Sequence, residues 1–416
     1  MNKNIVLIFL WIFLFPALTV SAQEAVVSAK NDSSHNAILN DTAYYARQRD
    51  LIDIGLKILK KDINKRIEGN AEEKTGKLHI SAAPSVGYST ATGFVVLAAG
   101  NSGFYLGEGK NQAISTVVTY LAYTTEHQII FPIQSSIYTK DNKYNFIGDW
   151  RYLKYPQDTY GLGGETSLSN GYTVNYDYIR LHQFVLREVR THLYMGLGVQ
   201  FDKHWNITQV NPPFPVTDFD RYGFTTSSTS SGISADILYD SRLNQINPEK
   251  GTYFNAVFRQ NLTFLGSDQS WNSLIIDVRK YFPVGQKQNV LAFWSYNWLV
   301  LGGHAPYLDL PATGWDTYNN MGRGYIQNRY KGNGLVDMEA EYRFGILRNG
   351  LLGGVIFANA ESVEDFPNNK FTTVAPAAGA GLRIKFNKFS KTNIALDYGI
   401  GTNGSHGFFV NLGEVF

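Results

Sequence analysis

Cysteine is absent from the 416 residues, which excludes a disulfide scaffold, a thiolate metal site, a cysteine nucleophile and a lipid-anchored cysteine. Charge is scarce too. Asp, Glu, Lys and Arg make up 17% of the chain, against roughly 25% in a soluble globular protein. A net charge of +2 supplies no global basic field, so nucleic acid is not expected as a partner. Proline is sparse, 13 residues beside 39 glycines. Beyond the first residues no apolar run reaches the roughly 18 that a membrane helix needs. What the chain has instead is hydrophobic residues at 44%, which argues against disorder, and aromatics at 14%, with 26 Tyr and 26 Phe. A Tyr-rich, Gly-rich, charge-poor chain of this length points to many strands rather than a helical bundle.

The opening residues read as a signal peptide over 1–22. Lys3 precedes an apolar run from Ile5 to Phe15, and Val20, Ser21 and Ala22 form a small-residue cleavage site before Gln23. The alternative, a retained anchor, is disfavoured by the short apolar core. An exported chain without a membrane helix is either soluble or an outer-membrane β-barrel. Residues 23–76 form a separate segment. Its first part is polar, and Asp41 can cap a helix running to Glu68. Ile52, Leu56, Leu59, Ile63 and Ile67 make one apolar stripe, flanked by Lys57, Lys60, Lys61, Lys65 and Arg66. Such a helix can lie on an anionic membrane surface, dock on the rest of the protein, or occlude a pore.

From Lys77 to Phe416 the period becomes two. Met195, Leu197 and Val199 alternate with polar or small residues, and Val336, Met338, Ala340, Tyr342 and Phe344 alternate with Asp337, Glu339, Glu341 and Arg343. The runs are longer than the five or six residues of an average strand and match a tilted membrane-spanning one. Sixteen such segments can be placed, centred near Ala82, Val96, Val118, Phe131, Ile147, Tyr178, Tyr194, Ala235, Ala256, Ile276, Phe293, Ala340, Ile356, Arg383, Leu396 and Val410. Short and long connections alternate: Arg187 to Thr191 is tight, whereas Trp205 to Gly232 and Gly302 to Gly334 are long. The expected fold is all-β, a transmembrane antiparallel β-barrel of sixteen strands over 77–416 behind a short amphipathic helix. Hydrocarbon offers backbone groups no water, so the sheet must close on itself, with apolar alternates facing lipid and polar ones the lumen.

Four stretches stand out. Phe408, Val410, Leu412 and Phe416 share one alternation phase at the end of the chain. Asp240 and Arg242 share a face at a rim, followed by Pro248, which fixes φ, and Gly251, which permits a tight turn. Met321-Gly322-Arg323-Gly324-Tyr325 lies in the long connection before the twelfth segment, and Tyr160-Gly161-Leu162-Gly163-Gly164 forms another glycine-rich loop. Together they resemble the BamA/TamA family of outer-membrane assembly barrels, also called bacterial surface antigens. The terminal aromatic resembles the family's assembly signal. Asp240 to Gly251 resembles its Asp-x-Arg, turn, Pro-x-x-Gly pattern. Arg323, Gly324 and Tyr325 resemble its Val/Ile-Arg-Gly-Phe/Tyr motif on the sixth extracellular loop, which folds back into the barrel. Gly322 departs from that motif, where Val or Ile is usual.

The resemblance implies that Arg323 sits in the lumen with Glu341 and Asp397 as acidic partners, since a guanidinium there needs carboxylates to offset its lost hydration. It also implies insertion of proteins into, or transport across, the outer membrane, by lateral opening of a seam between first and last strands. Lipid including lipopolysaccharide, client outer-membrane proteins and envelope lipoproteins are the implied partners. POTRA domains, about 75 residues each in the family, do not fit between Gln23 and Gly76. No catalytic or metal-ligating set and no cofactor is expected: Gly-x-Ser-x-Gly, His-Glu-x-x-His and calcium-loop patterns are absent, and Asp337, Glu339 and Glu341 read as a lumen charge ladder. The competing readings are a passive channel for small solutes and a structural or adhesive surface protein.

Overall fold

A computed structural model describes residues 44–64, 66, 79–89, 92–107, 112–242, 244–285 and 289–416. The signal peptide and the position of Asp41 lie outside them. The first strands are β1 (His79–Ser89), β2 (Gly93–Phe104), β3 (Ser115–Thr124), β4 (Ile129–Tyr138), β5 (Tyr144–Lys154) and β6 (Gln157–Thr159). The middle ones are β7 (Tyr172–Arg190), β8 (Leu193–Val210), β9 (Ser228–Asp240), β10 (Gly251–Asn261), β11 (Trp271–Val284) and β12 (Asn289–Gly303). The last are β13 (Gly334–Gly345), β14 (Leu352–Asp365), β15 (Lys370–Phe371), β16 (Ala375–Asn387), β17 (Thr392–Ile400) and β18 (His406–Leu412). Each long strand pairs antiparallel with the next in an unbroken meander.

Eighteen strands are present among the described residues where sixteen were expected. Every expected centre falls in a strand of its own, and the difference comes from two short pieces, β6 with three residues and β15 with two. β6 exists because Pro156, which has no N–H to donate, interrupts β5, after which Gln157–Thr159 resumes pairing with the same partner, β7. β15 folds back on the end of β14. A second departure concerns closure. β1 and β18 lie side by side, but no hydrogen-bonded ladder joins them among the described residues.

The burial pattern is inverted relative to a soluble protein. On β8, Leu197 and Val199 are 70% and 60% exposed, while the alternate residues Gln200 and Asp202 are 6% and 2% exposed. β9 repeats this, with Ile233, Ala235 and Ile237 outward and Ser230, Ser234 and Asp236 inward. Apolar atoms outside and polar atoms inside fit a cylinder in hydrocarbon. The interior is filled by paired charge: Asp202 accepts from Arg259 at 2.6 Å and lies 2.8 Å from His182 Nε2, and Asp277 accepts from Arg279 at 2.7 Å.

The rim with long loops is capped by an aromatic dome. Helix α2 belongs to it, and runs over Asp218–Gly223 behind a capping box made by Thr217 and Asp220. Phe219 stacks on Tyr307 at 4.0 Å, Tyr222 stacks on His304 at 4.3 Å, and Tyr155, Tyr172 and Tyr176 pack in the same cluster.

At the opposite rim sits α1 (Leu51–Ile58). The expected single helix from Asp41 to Glu68 is corrected here. The N-cap is Asp50, whose side chain accepts the N–H of Asp53 at 2.7 Å, and the helix stops at Leu59 because Lys60 adopts a left-handed φ of 54°. A separate helical turn covers residues 44–47. α1 docks on two short turns. Asp50 and Asp53, both buried, receive Arg66 at 2.8 and 2.5 Å, and Asp53 also receives Lys388 Nζ at 2.8 Å. Arg49 donates its N–H to Asn349 O at 2.9 Å, and Tyr45 packs on Phe389 with centroids 4.8 Å apart.

Candidate functional site: a loop seated in the lumen

The site is built by residues 304–333, which connect β12 to β13. Two hairpin contacts stiffen this loop, Thr313 N to Tyr330 O at 3.0 Å and Asn328 N to Thr313 O at 2.8 Å. Its root is tied to the glycine-rich loop after β6: Gly163 N donates to Lys331 O at 2.7 Å, and the buried Arg329 donates to Thr166 O at 2.5 Å. Leu162 N and Gly164 N reach Asp218 and Asp365 at 3.0 and 2.9 Å, so Tyr160 to Gly164 gathers three loops.

The tip descends between opposite walls. Thr317 O accepts from Arg151 of β5 at 2.8 Å, while Arg323 reaches β13 and β17. Arg323 is 1% exposed, and donates to Asp397 at 2.8 Å, Glu341 at 2.7 Å and Glu339 at 3.2 Å. Its guanidinium carbon lies 3.9 Å from the centroid of the Phe357 ring, and its carbonyl accepts from Asn359 at 2.8 Å. Three carboxylates and an aromatic face replace the water that the cation has lost. Tyr325 donates its hydroxyl to Pro376 O at 2.7 Å.

The two glycines flanking Arg323 have specific causes. Gly324 has φ 112°, and a Cβ there would lie 2.8 Å from Ala377 Cβ. Gly322, the departure from the family motif, has φ 79°; its N–H donates to Glu339 at 2.9 Å, and a Cβ would meet Thr313 Cγ2 at 2.8 Å. A β-branched residue does not fit that backbone. Here the Gly322 backbone amide adds to the hold that Arg323 has on β13.

Glu341 and Asp397 both reach Arg323. Glu339 was not singled out as a partner, although its parity with Glu341 on β13 was a signal for it. The network also recruits Arg343, Arg383 and Glu414. Arg343 donates to Glu341 at 2.5 Å, and Arg383 donates to Asp397 and Glu414 at 2.5 and 2.6 Å. Arg343 further donates to Pro248 O at 3.2 Å, which links the rim stretch to this cluster. In that stretch Asp240 accepts two hydrogen bonds from Arg242, both 2.9 Å, and Gly251 has φ 118°.

Phe416 is a correction. Phe408, Val410 and Leu412 face outward at 56%, 41% and 68% exposure, but Phe416 is 3% exposed and does not share their face. β18 ends at Leu412, and Gly413 with φ 110° turns the chain inward. There the Phe416 ring lies 5.1 Å from Trp294, its carbonyl accepts from Arg343 at 2.5 Å, and the neighbouring Val415 O accepts from Asn320 of the loop at 2.8 Å.

Among solved structures, the barrel is similar to BamA from Haemophilus ducreyi lacking POTRA domains 1–3, with TM-score 0.52, 14% identity, and coverage of 84% of this chain and 77% of that one. It is similar to CdiB from Escherichia coli, with TM-score 0.52 and 8% identity over 80% of this chain and 62% of that one. CdiB from Acinetobacter baumannii gives TM-score 0.51 and 11% identity over 85% and 68%. None of the curated proteins matches the sequence. Residues 105–416 match the Omp85 superfamily domain. A meander inverted in polarity, with a loop arginine seated among lumen carboxylates, is thus found on a chain that belongs to the Omp85 superfamily.

Proposed function

We propose that this outer-membrane barrel assists insertion of proteins into, or their translocation across, the outer membrane, working at the seam between β1 and β18. The observation that carries this reading is the pairing of a filled lumen with an unladdered edge. The loop crosses from Arg151 to Asp397, so the polar interior is occupied. Among the described residues, β1 and β18 lie adjacent without a hydrogen-bonded register. An edge strand that lacks its partner can template an incoming strand by β-augmentation. Arg323, Gly324, Tyr325, Glu341 and Asp397 brace the loop and hold the cylinder's shape while the seam moves. The rim with short turns faces the periplasm, with α1 beneath it. Partners on this reading are client outer-membrane proteins, the surrounding lipid with its lipopolysaccharide, and envelope lipoproteins. A passive channel for small solutes is disfavoured, because the seated loop obstructs conduction.

Depletion followed by proteomics of the outer membrane tests the proposal. Selective loss of barrel proteins, or of a secreted substrate, is expected. An outer-membrane and secreted proteome unchanged by depletion would contradict it.

A further inference from the structure

We infer that α1 and residues 59–64 form a docking surface for anionic phospholipid, held at the barrel rim so that one flank rests on the membrane. The inference is independent of the insertion reading and rests on three observations.

The first is where the helix is held. Asp50 and Asp53 are consumed by Arg66 and Lys388, so the acidic side of α1 is turned into the barrel and neutralised there. Ile346 and Leu347 on one of the turns that receive it, and Phe386 at the end of β16 beside the other, face outward at 47%, 44% and 38% exposure. α1 therefore lies where the apolar band of the wall ends.

The second is what remains exposed. Ile54 and Ile58, one turn apart, and Leu59 beside them are 38%, 75% and 67% exposed. Large aliphatic side chains at that exposure, level with the end of the apolar band, fit a site within hydrocarbon better than one in water.

The third is charge. Among the described residues 44–66, Arg47, Arg49, Lys57, Lys60 and Lys61 are exposed against one exposed carboxylate, Asp62. No carboxylate pairs with Lys57, Lys60 or Lys61 among the described residues. Arg49, Lys57, Lys60, Lys61, Asp62 and Asn64 line a shallow cleft of about 380 Å³, in which the Asp62 carboxylate accepts the N–H of Asn64 at 2.8 Å. A cleft with four cationic side chains around a single carboxylate, directly beside exposed Ile58 and Leu59, matches a lipid with a phosphate above its acyl chains. Neither a neutral lipid nor an acidic soluble protein satisfies both halves. Near an anionic bilayer each lysine strengthens association by about fivefold, in a salt-dependent way.

The absence of native cysteine makes the test direct. The full chain carrying Ile58→Cys is spin-labelled and placed in nanodiscs of phosphatidylcholine alone or with phosphatidylglycerol. Collision rates with oxygen and with a water-soluble nickel chelate report immersion. The expected result is a several-fold rise in the oxygen-to-nickel ratio when phosphatidylglycerol is added. Lys57→Gln/Lys60→Gln/Lys61→Gln and high salt should each abolish that rise. A second label at Arg348→Cys measures the distance to position 58, and an unchanged distance in the triple variant shows that α1 is still docked. A label equally exposed to the nickel chelate in both lipids overturns the inference and leaves the flank to an aqueous partner. Equal immersion in both lipids overturns the anionic preference.

Discussion

Arg323 is the residue on which the loop's position turns. A guanidinium at 1% exposure is tolerable only because three carboxylates surround it. Arg323→Ala would leave Glu339, Glu341 and Asp397 facing one another without that cation, and removing one partner of a buried pair costs about 3–5 kcal/mol. The expected outcome is release of the loop tip, read as increased protease cleavage near residue 320. Combining it with Glu341→Ala should add little further loss, since both act through one contact. Strictly additive losses would show that the two residues work independently. Gly322→Val, which restores a residue usual in the family motif, should destabilise this protein by about 1–3 kcal/mol, because the backbone has φ 79° and the Cβ site is filled by Thr313. A melting temperature equal to that of the parent would contradict the packing described for Gly322.

At the scale of elements, α1 is the piece whose attachment can be titrated. Burial pushes the Asp50 carboxyl up, but the side chain of Arg66 and the backbone N–H groups of Lys388 and Asp53 outweigh it and hold the pKa below its ordinary 3.8. A depressed carboxyl stabilises the docked form at every pH above its undocked value and loses that contribution as pH falls through the docked one. The distance between labels at Ile58→Cys and Arg348→Cys should therefore stay constant from about pH 8 to about pH 5 and lengthen only in stronger acid. Lys388→Ala should lengthen it at neutral pH by leaving Asp53 short of a donor.

The same elements show what periodicity carries. Strand centres were legible because alternation repeats over many residues, and Arg323 was legible because a short motif named it. Helix limits were not. The cap at Asp50 is held by the N–H of Asp53 and by that of Lys388, more than 300 positions away in sequence. Phe416 has the parity of Phe408, and only the turn at Gly413 takes it inside. β6 depends on Pro156 breaking a ladder whose partner, β7, is 19 residues long.

For the whole molecule, the dome, the seated loop and the filled lumen together describe a cylinder closed along its axis. Single-channel recordings should show little steady conductance in the parent, and a large one once residues 312–331 are replaced by a short glycine-serine linker. A parent as conductive as the deletion would favour the diffusion channel. The wall is uneven: β18 has 7 residues and β7 has 19, so the side next to β1 is also the side with least sheet. On the proposed function, that asymmetry would put the moving part at the edge of the sheet and the fixed part at the brace.

A reversible seam lock tests this most directly. Cysteine is introduced at Val410 and scanned through 82–88 until a disulfide forms, and insertion of a client barrel protein into proteoliposomes is followed before and after reduction. The account predicts that the locked protein fails to promote insertion and regains activity when reduced. Undiminished insertion by fully crosslinked protein would contradict it.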